Sequence, residues 1–209
     1  MGDRHILERT NLRFPEFFIP PKAKCLEIGV WKGTFSDRIL THDPSELYLV
    51  DPWVYDPEFE GTLYGGAASN CQDDMDQVYQ FVLDKYKNRD NVFVYREKSQ
   101  DAGELFEDEY FDWIYVDGNH FYPYVLQDLE IYSKKLKRGG FLCGDDWGEG
   151  NDVDRSLKEF KEKYGHDYID KGLQGGNFVL QKGKEFIDDE VNTQTFTSMK
   201  IKPAKLRTR

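Results

Sequence analysis

The sequence predicts an α/β protein: a mostly parallel sheet with helices on both faces. Three observations predict it. From Lys24 onward, short apolar runs alternate with segments of helical periodicity. The first run passes straight into a glycine turn. Two later runs, Trp113-Ile114-Tyr115-Val116 and Phe141-Leu142-Cys143-Gly144, pass into Asp117-Gly118-Asn119-His120 and Asp145-Asp146. Right-handed crossovers put the C-terminal ends of parallel strands along one edge. As neighbours, these two strands would therefore gather three carboxylates and an imidazole there. Acids so gathered repel one another unless a cation lies among them, which points to a divalent metal with a base beside it.

The elements follow in order. Residues 3–18 read as a short helical or irregular lead-in with Ile6, Leu7, Phe14, Phe17 and Phe18 apolar, stopped by Pro20-Pro21. Lys24–Ile28 reads as a strand, Thr34–Leu40 as a helix and Leu47–Val50 as a second strand. Residues 52–71 hold Pro52, Pro57, Gly61, Gly65 and Gly66 among Trp53, Tyr55, Phe59 and Tyr64. So long a loop in a compact domain is usually functional or disordered, and its aromatics favour a lid. Met75, Val78, Tyr79, Val82, Leu83 and Tyr86 keep helical spacing. Val92–Tyr95 and Phe111–Val116 are the third and fourth strands. A helix with Val125, Leu126, Leu129, Tyr132 and Leu136 on its apolar face follows, with Gly139-Gly140 expected as its C-cap. Phe141–Cys143 is the fifth strand; a helix near Val153–Tyr164 and strands Asp167–Asp170 and Asn177–Gln181 close the pattern. Asp128 and Asp154 are expected on helix surfaces.

The chain has 209 residues, 39% hydrophobic and 15% aromatic, enough for one core. Its net charge of -11 and pI near 4.9 oppose general nucleic-acid binding. The basic end, Lys200, Lys202, Lys205, Arg207 and Arg209, reads as a solvated tail. Cys25, Cys71 and Cys143 form no paired or zinc-type spacing, which suits a reducing compartment. No apolar run approaches a membrane span, and Met1–His5 opens no signal peptide. A cytoplasmic protein is expected, and a homo-oligomer is left open.

The first turn reads Leu26-Glu27-Ile28-Gly29-Val30-Trp31-Lys32-Gly33-Thr34. It lacks the spacing of the dinucleotide fingerprint, which disfavours a nicotinamide enzyme. Glu27 in the strand end would repel a pyrophosphate but attract an ammonium or sulfonium. Asp51 ends the second strand, where a carboxylate can accept hydrogen bonds from both ribose hydroxyls. Ser99 and Gln100 follow the third strand, placed to read an adenine edge.

Over residues 23–182 this set resembles class I S-adenosylmethionine-dependent methyltransferases. The resemblance implies a Rossmann-like fold with a seven-stranded sheet. It also implies that Glu27, Gly29, Trp31 and Gly33 line the donor's methionine side and Asp51 holds its ribose. Ser99-Gln100-Asp101 is similar to a stretch of the catechol O-methyltransferases, so Ser99 and Gln100 would contact adenine. Phe111–His120 and Gly139–Asp146 resemble the metal-dependent O-methyltransferases. Asp146 stands where the catechol type has asparagine, which resembles the three-aspartate sugar-modifying enzymes more closely. The implied metal ligands are Asp117, Asp145 and Asp146, with Asp117 also beside the donor. An all-oxygen set suits Mg²⁺, Mn²⁺ or Ca²⁺. Either His120 or Asp117 is the implied base. The expected arrangement is a lead-in (1–22), a catalytic domain (23–182, with 52–71 lid-like) and a tail (183–209). The expected acceptor is a small molecule or glycan bearing a diol, with no nucleic-acid partner. A catechol-type enzyme, a metal-independent methyltransferase and a scaffold domain without turnover stay open.

Overall fold

The computed structural model describes residues 14–59, 70–174 and 176–183. The lead-in before Phe14, the loop's centre at 60–69 and the basic tail lie outside the described residues. Strands β1 (Lys24–Ile28), β2 (Glu46–Val50), β3 (Val92–Tyr95), β4 (Phe111–Val116), β5 (Leu136–Gly144), β6 (Tyr168–Gln174) and β7 (Asn177–Lys182) form one seven-stranded sheet. Their order is β3-β2-β1-β4-β5-β7-β6. The first five run parallel, and β7 runs antiparallel to both β5 and β6. The order reverses between β1 and β4, the place where open α/β sheets hold ligands.

Helices α1 (Thr34–Leu40), α2 (Gln72–Tyr86), α3 (Ser99–Ala102), α4 (Tyr124–Lys135) and α5 (Asp152–Tyr164) connect the strands. Strand residues alternate between the sheet faces, as a pleated backbone requires. Leu26, Ile28, Val50, Ile114, Val116 and Leu142 face α4 and α5, packing on Leu129, Tyr132, Leu157 and Phe160. Cys25, Leu47, Leu49, Trp113, Tyr115 and Cys143 face the other way. There they meet Ile39 of α1 and Met75, Val78, Val82 and Tyr86 of α2. Helix α2 forms because those apolar residues recur every three or four positions, with Asp73 and Asp74 in its first turn and Lys85 in its last. The Asn151 side chain caps α5, accepting from Asp154 N–H at 2.9 Å.

A short 3₁₀ turn at Pro15–Phe18 packs across the second face, and Trp113 Nε1 donates to Pro15 O at 3.1 Å. Gly139-Gly140 does not cap α4: the helix ends at Lys135, and β5 starts at Leu136 and runs through both glycines. The reason is contact with β4. Gly139 has φ +83, and a Cβ on Gly140 would lie 2.8 Å from Asp112 O. Both glycines let β5 cross the register shift between Phe111 and Trp113. Among the described residues no helix is long and apolar enough to cross a membrane.

Candidate active site

A cavity of about 770 Å³ opens at the strand C-termini around the order reversal, a size suited to a cofactor with its acceptor. The turn after β1 forms its floor. Gly29 has φ +83, and a Cβ there would stand 1.8 Å from Asp117 O. Only glycine permits that backbone and that approach of β1 to β4. Trp31 also has positive φ, 51°. Its backbone is held by Asp51, whose Oδ2 accepts from Val30 N–H at 2.9 Å and Trp31 N–H at 3.0 Å. Asp51 Oδ1 accepts from Trp53 N–H at 2.7 Å. Burial raises the Asp51 carboxyl, and these three backbone bonds partly offset it. Asp51 thus fastens the turn as well as lining the cavity. Trp53, fully buried, donates Nε1 to Trp31 O at 2.9 Å, and Arg96 binds Trp53 O at 2.9 Å.

Two expectations for this end change. Gly33 does not line the cavity: a Cβ there would meet Tyr86 Oη at 2.7 Å, and Tyr86 O–H donates to Gly33 O at 2.8 Å. Its left-handed φ of +68 lets the chain turn into α1 beneath the site. Glu27 does line the cavity, but it is 1% exposed and accepts from Ser36 O–H at 2.5 Å. Burial, then the Asp117 and Asp51 charges, push its carboxyl well above the usual range against the pull of Ser36. Burial thus weakens the negative charge expected there from the sequence.

Ser99 and Gln100 reach the opposite wall at the start of α3. Beside them stand two residues of α4 that the sequence reading missed, Gln127 and Asp128. Gln100 Nε2 lies 3.5 Å from Gln127 Oε1. Asp128 is not a surface residue: it is 2% exposed, and burial pushes its carboxyl up to about 7 despite a Ser99 hydrogen bond. The signal was present in the spacing. Asp128 stands three residues after Val125 and four before Tyr132, on the same buried stripe of α4. Asp154 is buried as well, bound by Lys158 Nζ at 2.7 Å, Gly150 N–H at 2.9 Å and Trp147 Nε1 at 3.0 Å. It organises the turn into α5.

At the chemical end, β4 and β5 are adjacent and parallel, as the carboxylate pattern required. His120 lies between two acids: Nδ1 is 2.5 Å from Asp146 Oδ2 and Nε2 is 3.2 Å from Asp117 Oδ1. The second contact has an ion-pair distance without hydrogen-bond alignment, since Nε2 is buried with no hydrogen-bond partner. Burial lowers the His120 pKa, but the neighbouring Asp117 and Asp146 outweigh it and hold it above the ordinary value. Burial raises Asp117, relieved by His120 and increased by Asp145 and Asp146. Asp145 is raised too, by burial and then Asp146.

The three aspartates are not gathered into one ligand set. Asp117 and Asp146 stand on the cavity wall around His120, whereas Asp145 Oδ1 lies toward Gly176, 3.9 Å from where its Cβ would be. The strand ends at Gly144 and Asp146 takes a left-handed φ of 54°, which turns its side chain away from that of Asp145. Among the described residues no group of three or more His, Cys, Asp or Glu side chains is arranged to hold a metal ion. Phe121 and Tyr124, 43% and 37% exposed, form an aromatic rim next to His120.

A glycine turn, an acid ending β2 and a carboxylate-rich β4 edge around one cavity define a class I S-adenosylmethionine-dependent methyltransferase. The family described as "Methyltransferase domain" matches residues 26–147, more than half of the 209 residues. The chain belongs to that family. No curated protein sequence matches it. Solved structures share its fold at low identity. The O-methyltransferase NovP is 17% identical, with TM-score 0.59, covering 86% of this chain and 81% of its own. A candidate methyltransferase from Streptococcus mutans in complex with SAH is 11% identical, with TM-score 0.53, covering 86% and 97%. An rRNA methylase from Streptococcus thermophilus is 10% identical, with TM-score 0.53, covering 88% and 99%.

Proposed function

We propose that this methyltransferase is an O-methyltransferase acting on a hydroxyl of a sugar or other small polyol, with a divalent cation at the Asp117–Asp146 edge. The observation that carries it is His120 held between Asp117 and Asp146 on the cavity wall. A neutral amine has a lone pair ready for methylation, whereas a hydroxyl must lose a proton, and that needs a placed base. The donor, when bound, supplies an activated methyl on a sulfonium, so positioning and exclusion of water dominate what the protein must add. Glu27, Gly29 and Trp31 would meet its methionine end, Asp51 its ribose, and Ser99 and Gln100 its adenine.

His120 is the residue assigned to take the acceptor's proton. Asp146 fixes the ring by accepting from Nδ1, and the Asp117 carboxylate stabilises the imidazolium that results. Asp117 is the competing base. The donor set fits a hard divalent ion in kind: three carboxylates, two of them raised by burial and by neighbouring aspartates. Asp117 and Asp146 would hold it, with Asp145 joining only by turning away from Gly176, and such an ion would lower the acceptor hydroxyl's pKa and bind its neighbouring oxygen. The acidic wall and the net charge of -11 favour a neutral acceptor over RNA. The aromatic rim of Phe121 and Tyr124 suits a ring, and a catechol presents the same two oxygens.

A metal-independent reading is supported by one observation: His120 already stands between Asp117 and Asp146, so the acids are offset by an imidazole without a cation. A mass-spectrometric acceptor screen, reading the gain of one methyl group with Mg²⁺ and with excess chelator, separates the two. Turnover that survives chelation would remove the cation. Methylation confined to amines would remove the O-methyltransferase reading.

A further inference from the structure

We infer that Trp53 is a positioning residue for the methyl donor, acting through Trp31, whose backbone it holds in a conformation that tryptophan rarely adopts. The inference rests on the reading of the cavity as the donor site and assigns a residue that does not itself line it.

Trp31 stands on the cavity wall in the turn after β1, and its φ is 51°. A left-handed backbone suits glycine, and a bulky side chain there is an outlier. Outliers of this kind cluster at ligand clamps and persist only where the surroundings over-determine them. Both peptide groups that flank Trp31 are held. Its N–H donates to Asp51 Oδ2 at 3.0 Å, and its carbonyl accepts from Trp53 Nε1 at 2.9 Å. The two partners lie 20 and 22 residues away in the chain, so no local contact makes either bond.

Trp53 is itself a fixed point. Its side chain is fully buried and packs on Tyr79 of α2, with ring centroids 4.9 Å apart. Its φ is 41°, and the same pattern of clamps recurs around it. Asp51 Oδ1 accepts from its N–H at 2.7 Å, while Gln72 Nε2 at 3.0 Å and Arg96 at 2.9 Å donate to its carbonyl. A buried indole N–H needs a partner, and here the partner is a carbonyl of the donor turn. Phenylalanine would keep an apolar ring in that space without the bond. A donor entering the cavity thus meets a turn that is already formed, and its binding does not carry the cost of ordering that turn.

The test is a double-mutant cycle on the full chain, read by calorimetry with S-adenosylhomocysteine. Trp53→Phe removes the donor to Trp31 O and should weaken binding about 3- to 10-fold. Trp31→Gly takes a ring from the cavity wall and binds more weakly by itself, but glycine adopts the left-handed turn without a clamp. On that background Trp53→Phe should weaken binding by less than about twofold. A Trp53 that served packing alone would cost the same factor on both backgrounds, and that result overturns the inference. So does unchanged affinity in Trp53→Phe. If Trp53→Phe fails to fold, Arg96→Met takes its place in the cycle, because Arg96 is partly exposed and its loss releases the Trp53 carbonyl; the same two outcomes then decide. Failure of wild type to bind S-adenosylhomocysteine at all would instead remove the donor-site reading on which the inference rests.

Discussion

Replacing Asp128 by Asn should make the free protein more stable, and by an amount that depends on pH. In the folded chain the Asp128 carboxyl titrates at about 7, raised from 3.8 because it is buried. Below pH 3.8 the side chain is protonated in both states and contributes no pH dependence. Between these values the unfolded chain gives up its proton while the folded chain keeps it, so the folded state loses stability as pH rises. Above about 7 the penalty is complete and constant. A shift of about three units corresponds to about 4 kcal/mol at 1.36 kcal/mol per unit. Asn keeps a polar partner for Ser99 and cannot ionise. Urea denaturation of both proteins at several pH values, without ligand, measures the difference, in which other titrating groups cancel. The stability gap should widen by about 3 kcal/mol in favour of the variant between about pH 4.5 and 7.5. A gap that stays flat to within about 0.5 kcal/mol would show that the carboxyl is solvated, refuting its burial at the cavity wall.

Gly29→Ala puts a methyl 1.8 Å from the Asp117 carbonyl oxygen at φ +83; a stability loss above about 3 kcal/mol is expected by denaturation, and a folded variant that binds S-adenosylhomocysteine normally would contradict the turn geometry. His120→Ala should lower kcat by about 10²–10⁴ with donor affinity little changed; wild-type kcat across the pH range would leave Asp117 as the base. Leu129→Ala, at a position with no exposed area, should cost about 2–5 kcal/mol in urea titrations. Arg96→Met removes the bond to Trp53 O and should weaken donor binding about tenfold by loosening the segment after β2; calorimetry reads it, and unchanged affinity would mean that segment does not shape the donor site.

The sequence by itself determined the sheet and its ligand edge. Alternating apolar runs and helical stripes need only short-range periodicity to be read, and that was enough to place all seven strands, including the final antiparallel pair's positions. It also placed Glu27, Gly29, Trp31, Asp51, Ser99, Gln100, Asp117, His120 and Asp146 around one cavity, because strand ends in a parallel sheet converge. Tertiary structure decided what each group meets there. Gly33 turned under the site because Tyr86, 53 residues away, fills its far side. Glu27 is buried beside Ser36, and that burial pushes its carboxyl upward. Asp128 moved from an expected surface to the cavity wall, since one polar residue on an apolar stripe is buried or not according to what packs on it. Asp145 and Asp146 parted, leaving His120 between Asp117 and Asp146. Residue spacing fixes which side chains reach an edge. Whether a carboxylate there is charged, paired or free depends on long-range neighbours and the water they exclude, which no local pattern records.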